Sequence, residues 1–336
     1  MSAVSSVPVR APQWTMSYDG VDITTQVSPM VTSITYSDRL ANLSGELEVE
    51  FEDRSKLWQG PWYPALGDQL SISIGYRGEG LQPCGAMQVD DLELIGPPDQ
   101  FRLRCVATFI TTAMRTNNSA GYENQSLLGI AGAIAEKYGF ALIAAPDLED
   151  LVFARVTQRF ETDLAFLKRL ANEHGYDFAV RGAQLVFYTL AALELGIPVA
   201  TIERSATLAF RFRNRSRRIF ASSQISYLDP ASKQLMSFAQ VSASTVATAD
   251  ALKLVRRCEN DAQAMLKAGA ALHLNNMMLV TASLSIPGSA SLAAGVTVLL
   301  SGWKAFDGVY LIESAVHRIT RARGYVTEVE VRQLAL

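Results

Sequence analysis

The segment from Gly45 to Glu52 alternates without a break. Leu47, Val49 and Phe51 fall on one side and Glu46, Glu48, Glu50 and Glu52 on the other. Only an extended chain, with its side-chain period of two, separates these residues into an apolar and an acidic face. Val31 to Tyr36 keeps the same period, as do Leu70, Ile72 and Ile74 after a turn ending at Gly67, Met87 to Ile95, and Phe101 to Phe109. Gly96-Pro97-Pro98-Asp99 supplies a turn before the last of these. Short alternating strands joined by turns predict an antiparallel barrel or sandwich, taken as a first β-barrel domain over residues 14–115, behind a loose arm at 1–13.

The period then changes. Ser126 is placed to cap a helix running to Tyr138, with Gly139 at its C-terminal end. A second helix is expected from Thr162 to His174, with Leu164, Phe166, Leu167, Leu170 and Ala171 as its apolar stripe. Tyr176–Val180 and Leu185–Tyr188 read as a hairpin around Arg181-Gly182. These elements predict a small α+β module over 116–203. Strands return at Thr207–Arg213, Ile219–Leu228, Met278–Ile286, Val296–Leu300, Tyr310–Arg318 and Tyr325–Gln333, with a turn at Asp229-Pro230. They predict a second β-barrel domain over 204–336, interrupted by a long Ala-rich helix at about 248–272. The expected fold class is therefore β-rich α+β. The Ala-rich helix is open to two readings, a peripheral helix or a trimer contact.

Two stretches echo each other. Ala65 to Ile72 followed by Gly85 to Leu92 matches Ala293 to Leu300 followed by Gly308 to Ala315. Each has a glycine turn, an alternating strand, a loop, a second glycine and another strand. The echo reads either as the general likeness of β-hairpins or as a duplication. If duplicated, three chains would present six similar units in a ring.

Composition narrows the function. Charged residues are 19% of the chain, a modest share that leaves much surface apolar or buried against partners. A formal charge of -3 excludes a generic nucleic-acid binder. Cys84, Cys105 and Cys258 are odd in number and scattered, which excludes a disulfide scaffold or a Cys-x-x-Cys zinc site. No metal or other cofactor is expected. Met1 to Pro12 holds no apolar segment, so the expectation is a protein made in the cytoplasm without a signal peptide. The apolar stretch Leu127–Ala145 is broken by Glu136 and Lys137 and reads as a core helix rather than a membrane segment.

From about Trp14 to Arg332 the chain resembles the phage late control protein D family, the contractile tail baseplate hubs, which are related to the hub region of type VI secretion spike proteins. Four stretches carry the resemblance in order: Gly20 to Thr24 with the acidic strand after it, Gly85 to Pro98, Gln158 to Leu170 with the Leu185-Val186-Phe187 strand, and Ile286-Pro287-Gly288 followed by Leu292 to Tyr325. The resemblance implies a homotrimer with pseudo-sixfold symmetry that joins a central spike to the tail tube protein. It also implies a place beneath the tape-measure protein and among baseplate wedge proteins, in a phage or a phage-derived bacteriocin (tailocin). In the secretion proteins a β-helical spike continues the chain. Here the sequence stops at Leu336, so the expected spike is a separate protein.

The alternative is a tail-associated cell-wall hydrolase, and the residues argue against it. His174 and His273 read as helix C-terminal cations, and His317 as a strand surface residue. Asp90 and Asp91 are adjacent on a strand and point to opposite faces, so they cannot share a substrate. Two charge rows are the candidate interface: Glu46, Glu48, Glu50 and Glu52, and Arg211, Arg213, Arg215 and Arg217. Each reads either as a solvated strand face or as charge registry between neighbouring barrels.

Overall fold

The structure, a computed structural model, describes residues 10–40, 45–107, 114, 116–146, 148–181, 183–215, 217–229, 232–242 and 248–334. Most of the expected N-terminal arm, Phe109, Gly182, Pro230 and Leu336 lie outside the described residues. No helix among the described residues is long and apolar enough to cross a membrane.

The first half consists of β1 (Pro12–Tyr18), β2 (Val21–Asp22), α1 (Thr24–Val27), β3 (Val31–Arg39), β4 (Glu46–Glu52), β5 (Gln69–Tyr76), β6 (Gly80–Ile95) and β7 (Gln100–Ala107). Leu47, Val49 and Phe51 are at most 1% exposed. They pack with Ile34, Leu70, Ile72, Phe101 and Leu103 in one apolar cluster. The alternation read from β4 is thus the in-and-out alternation of this core.

The middle module contains β8 (Asn117–Ser126), α2 (Leu127–Lys137), β9 (Ala141–Ala144), β10 (Val152–Thr162), α3 (Asp163–Glu173), β11 (Tyr176–Arg181), β12 (Gln184–Thr189) and α4 (Leu190–Glu194). Both expected helices are present: Ser126 caps the first as expected, its Oγ accepting from Gly129 N, and Thr162 Oγ1 accepts from Ala165 N at the start of the second. Their apolar stripes bury Leu127, Ile130, Phe166 and Leu167 against Phe178 and Phe187 of the hairpin. The antiparallel pair β8–β10 and the short β9 were not anticipated.

The second half follows as β13 (Ala200–Glu203) and β14 (Ala209–Asn214), then an inserted unit of β15 (Ser222–Leu228), β16 (Leu235–Val241), β17 (Ala251–Val255) and α5 (Asp261–Asn276). It closes with β18 (Val280–Pro287), β19 (Thr297–Ser301), β20 (Gly308–Thr320) and β21 (Gly324–Gln333). Strand β13, which a boundary at 203/204 leaves with the middle module, pairs with β19. The helix expected at about 248–272 is corrected to α5. Asn260 caps its first turn through Gln263 N, and residues 251–255 are instead a strand parallel to β15. The physical reason is that β15 needs a second neighbour, and Leu252 and Leu254 alternate to provide one. The small face of α5 is covered within the chain: Ala264 and Ala268 pack with Ile225, Tyr227 and Cys258.

One 13-stranded sheet runs through both halves, in the order β14-β18-β21-β20-β3-β4-β7-β6-β5-β1-β2, with β19 on β20 and β13 on β19. Reduced to six strands each, the halves read β3-β4-β7-β6-β5-β1 and β14-β18-β21-β20-β19-β13. The chain visits the corresponding strands in the same sequence order. All corresponding pairs run the same way except the last, where β1–β5 is antiparallel and β13–β19 parallel. The echo also holds at single residues. Gly67 N donates to Val89 O and Gly295 N to Ile312 O, each at 2.9 Å. Val89 N donates to Asp68 O and Ile312 N to Val296 O, also at 2.9 Å. Directly after each, one extra residue bulges from the strand, Asp90 in β6 and Glu313 in β20.

Candidate functional site

The side chains that point away from the cores form one charged sheet face. On β4 and β7, Glu48 lies opposite Arg104 and Glu50 opposite Arg102. On β6 and β7, Asp91 lies opposite Arg104 and Glu93 opposite Arg102. Arg104 Nε donates to Glu48 Oε2 at 2.8 Å, and its Nη1 is 3.7 Å from Asp91 Oδ2. Arg102 donates from Nη2 to Glu50 Oε1 at 2.9 Å and from Nη1 to Glu93 Oε2 at 2.7 Å. Two short rows of alternating sign result, Glu93–Arg102–Glu50 and Asp91–Arg104–Glu48. Glu52 is paired with Arg54 and lies 3.4 Å from Arg321. Glu46 makes no ion pair among the described residues. The acidic row is therefore largely matched inside the chain, by arginines of β7 that the sequence reading did not single out. The signal was available: Arg102 and Arg104 alternate on the strand next to the acidic one.

The arginine row sits elsewhere. Arg211 and Arg213 project from β14, opposite Ser283 and Thr281, and Arg215 follows just after the strand. All three line a groove with Arg39, Glu313 and Glu330. Arg217 lies in a turn beyond the strand, so the row has three members. No ion pair engages them among the described residues. The register Arg211–Ser283–Glu330–Ser314–Arg39 carries this face across the sheet to β3, whose Ser37 lies opposite Glu46. The acidic and arginine rows thus share one face of one sheet, with four strands between them.

The halves meet where β20 pairs with β3, from Ser314↔Arg39 to Thr320↔Ser33. Just before this stretch, Leu40 N donates to Glu313 O at 2.8 Å. On its core side Tyr36 stacks on His317, ring centroids 6.0 Å apart. His317 is corrected from a surface residue to a buried one, 3% exposed. Its Nε2 donates to Leu292 O at 3.0 Å, because a carbonyl can only accept. Its Nδ1 then accepts from Tyr325 Oη at 2.9 Å. Burial holds its pKa below the usual histidine value. His174 caps α3 as expected, but burial favours its neutral form over the expected cation. His273 lies in the last turn of α5, with Nε2 3.1 Å from Glu194 Oε1.

A buried arginine ties α4 to this half. Arg332, 1% exposed, donates from Nε to Glu313 Oε1 at 2.5 Å and from Nη1 to Glu194 Oε1 at 2.7 Å. Burial raises the Glu194 pKa, but the hydrogen bonds from His273 and Arg332 outweigh it and the net shift is downward. At Asp90 and Asp91 the bulge interrupts the alternation assumed from sequence. Both side chains are exposed, and Asp91 faces Arg104.

This architecture is the fold of phage tail proteins. The 43 kDa tail protein of prophage MuSo2 from Shewanella oneidensis superposes with a TM-score of 0.74 at 16% identity, over 96% of this chain and 98% of that one. The E. coli c3393 protein, a component of the type VI secretion system, matches with a TM-score of 0.57 at 15% identity, over 91% and 74%. No family model matches the chain. In sequence it is 27% identical over 198 residues, 58% of the chain, to the "Probable baseplate hub protein" of Escherichia phage P2. It is 23% identical over 199 residues, again 58% of the chain, to the protein of that name from Escherichia phage 186. The chain spans about half the length of these curated relatives, 50% of each being matched.

Proposed function

We propose that this chain is a structural hub of a contractile, phage-type tail baseplate. It acts as a homotrimer whose six half-units form a pseudo-sixfold ring between a central spike and the tail tube. The observation that carries this reading is the doubled strand order, β3-β4-β7-β6-β5-β1 and β14-β18-β21-β20-β19-β13. A sixfold tube and a threefold spike differ in symmetry, and three copies of a doubled unit match both. The names of the phage relatives agree with a hub. In this reading each half acts as a barrel-like wall segment, and the charged face carrying Glu46, Glu48, Glu50, Glu52, Arg211, Arg213 and Arg215 lines the ring. The tape-measure protein sits above it, and baseplate wedge proteins surround it.

The test is the mass of the full chain in solution, alone and with its spike, by mass photometry. Three copies are expected. A monodisperse hexamer, or a chain that remains monomeric in both preparations, would overturn the ring.

A further inference from the structure

Within one chain the two halves are joined by the pairing of β20 with β3. Strand β20 is long enough for two partners on one edge: Thr297–Leu300 of β19 pair with its Gly308–Leu311, and after the bulge β3 pairs from Ser314 onward. Strand β6 is built alike. It pairs with β5 as far as Gln88, bulges at Asp90, and then carries Asp91–Ile95 with only β7 beside it among the described residues. The edge that β3 fills on β20 is open on β6. In turn β14, the counterpart of β3, has β18 on one side and no strand on the other among the described residues.

We propose that β14 of one copy pairs antiparallel with the open edge of β6 in the next copy, continuing the sheet from chain to chain. This deepens the ring reading above and rests on it. The register follows from the internal junction. Both β3 and β14 are placed by their neighbours, Thr35↔Glu48 corresponding to Arg211↔Ser283. Transferring Ser314↔Arg39, Val316↔Ser37 and His317↔Tyr36 gives Asp91 opposite Arg215, Glu93 opposite Arg213, and Leu94 opposite Phe212.

The charges on the two strands agree with this register. The rows Glu93–Arg102–Glu50 and Asp91–Arg104–Glu48 each carry one surplus negative charge. Arg213 and Arg215 neutralise them, one per row, and extend the alternation of sign. A shift by one residue would turn the arginines to the core face. On that face Leu94 is 52% exposed, and Leu94 and Phe212 stand where His317 and Tyr36 stack in the internal junction. The seam joins different surfaces of the two copies, so repetition makes a ring when the rotation closes.

The full chain carrying both Leu94→Cys and Phe212→Cys tests the register. The native Cys84, Cys105 and Cys258 are buried. Under mild oxidation a ladder of covalent oligomers is expected. The pair Leu94→Cys with Phe210→Cys, two residues out of register, should give none, because directly opposed positions alone suit a disulfide. A second measurement uses charge. Asp91→Arg with Glu93→Arg should weaken self-association about tenfold or more, and adding Arg213→Glu and Arg215→Glu to that chain should restore it. An assembled trimer that fails to crosslink, or that is indifferent to the reversal, overturns the seam and leaves the ring reading standing. A chain that stays monomeric and does not crosslink overturns both.

Discussion

Asp90 and Glu313 occupy the same place in the two halves of the molecule. Each is the extra residue of a bulge in a long strand, reached just after a matched pair of backbone hydrogen bonds. The bulge resets the in-and-out alternation. It also marks where the strand parts from one neighbour on its edge and becomes free for another. In β20 the second neighbour is β3 of the same chain. Glu313 has taken on a further task, since its carboxylate receives the buried Arg332.

Arg332 should be the costliest charged side chain to remove from the second half. Arg332→Ala leaves Glu313 and Glu194 facing each other without their shared cation, and breaking such a buried pair costs about 3–5 kcal/mol. Urea denaturation should show that loss. Arg318→Ala, at an exposed pair with Glu328, should cost about 0–1 kcal/mol. Equal effects at the two positions would refute the assignment of Arg332 as a buried tie.

Gly288→Ala should destabilise through overpacking. A methyl group there would lie 2.2 Å from the Tyr325 ring, which is itself buried and hydrogen-bonded to His317. The cost should be about 1–3 kcal/mol. Pairing the change with Tyr325→Leu, which removes the ring, should make the two effects clearly less than additive. Strict additivity would show that the clash is relieved elsewhere.

Acidification below neutrality should weaken the fold through its buried histidines. Burial lowers the pKa of His317 and His174 from 6.5, so the unfolded chain takes up protons first. Their contribution is complete above about pH 6.5 and is lost as the pH falls through the lower folded values. His317→Gln, which can still donate to Leu292 O and accept from Tyr325, should flatten part of the stability loss between pH 7 and 5. His174 should account for a remainder. An unchanged slope in denaturant titrations would remove His317 from the explanation.

A second transition belongs to more acid conditions and to the middle module. Asp163 is buried, which alone would raise its pKa. Hydrogen bonds from Gln158, Lys137, Tyr138 and Asn118 overcome this and bring it to about 2. A folded value below the unfolded 3.8 means that its stabilisation is present above about pH 4 and is lost as the pH falls toward 2. Asp163→Asn at neutral pH should cost about 1.5–3 kcal/mol, the worth of hydrogen bonds to a charged group. The acid-induced loss of α2 and α3, followed by circular dichroism, should also become shallower. A variant as stable as the parent would place these donors in water instead.

The β-rich character, the α2 and α3 helices with the Ser126 cap, and the echo around Gly67 and Gly295 are all legible in the sequence. Each is written in local periodicity: a spacing of two or 3.6, a capping hydroxyl, a glycine where the backbone turns. Val31, Leu47, Val49 and Phe51 face inward as their alternation requires. The pairing of β8 with β10 is not legible, because Asn117–Ser126 carries only Ala120 and Tyr122 as apolar side chains, too few to mark a period. The alanines near residue 250 were misread as helix because composition outweighed the alternation of Leu252 and Leu254.

The charged rows divide along the same line. The sequence by itself determined which side chains of β4 and β14 share a face, since that follows from a period internal to each strand. The tertiary structure alone decided which strand lies beside which. It set Arg102 and Arg104 against Glu50 and Glu48, buried Arg332 and His317, and left one edge of β6 beyond Asp90 and the outer edge of β14 without a strand partner among the described residues. Those outcomes depend on pairings between residues far apart in the chain. Their free energy is the gain from filling a shared core set against the entropic cost of closing long loops, and no window of local sequence contains it.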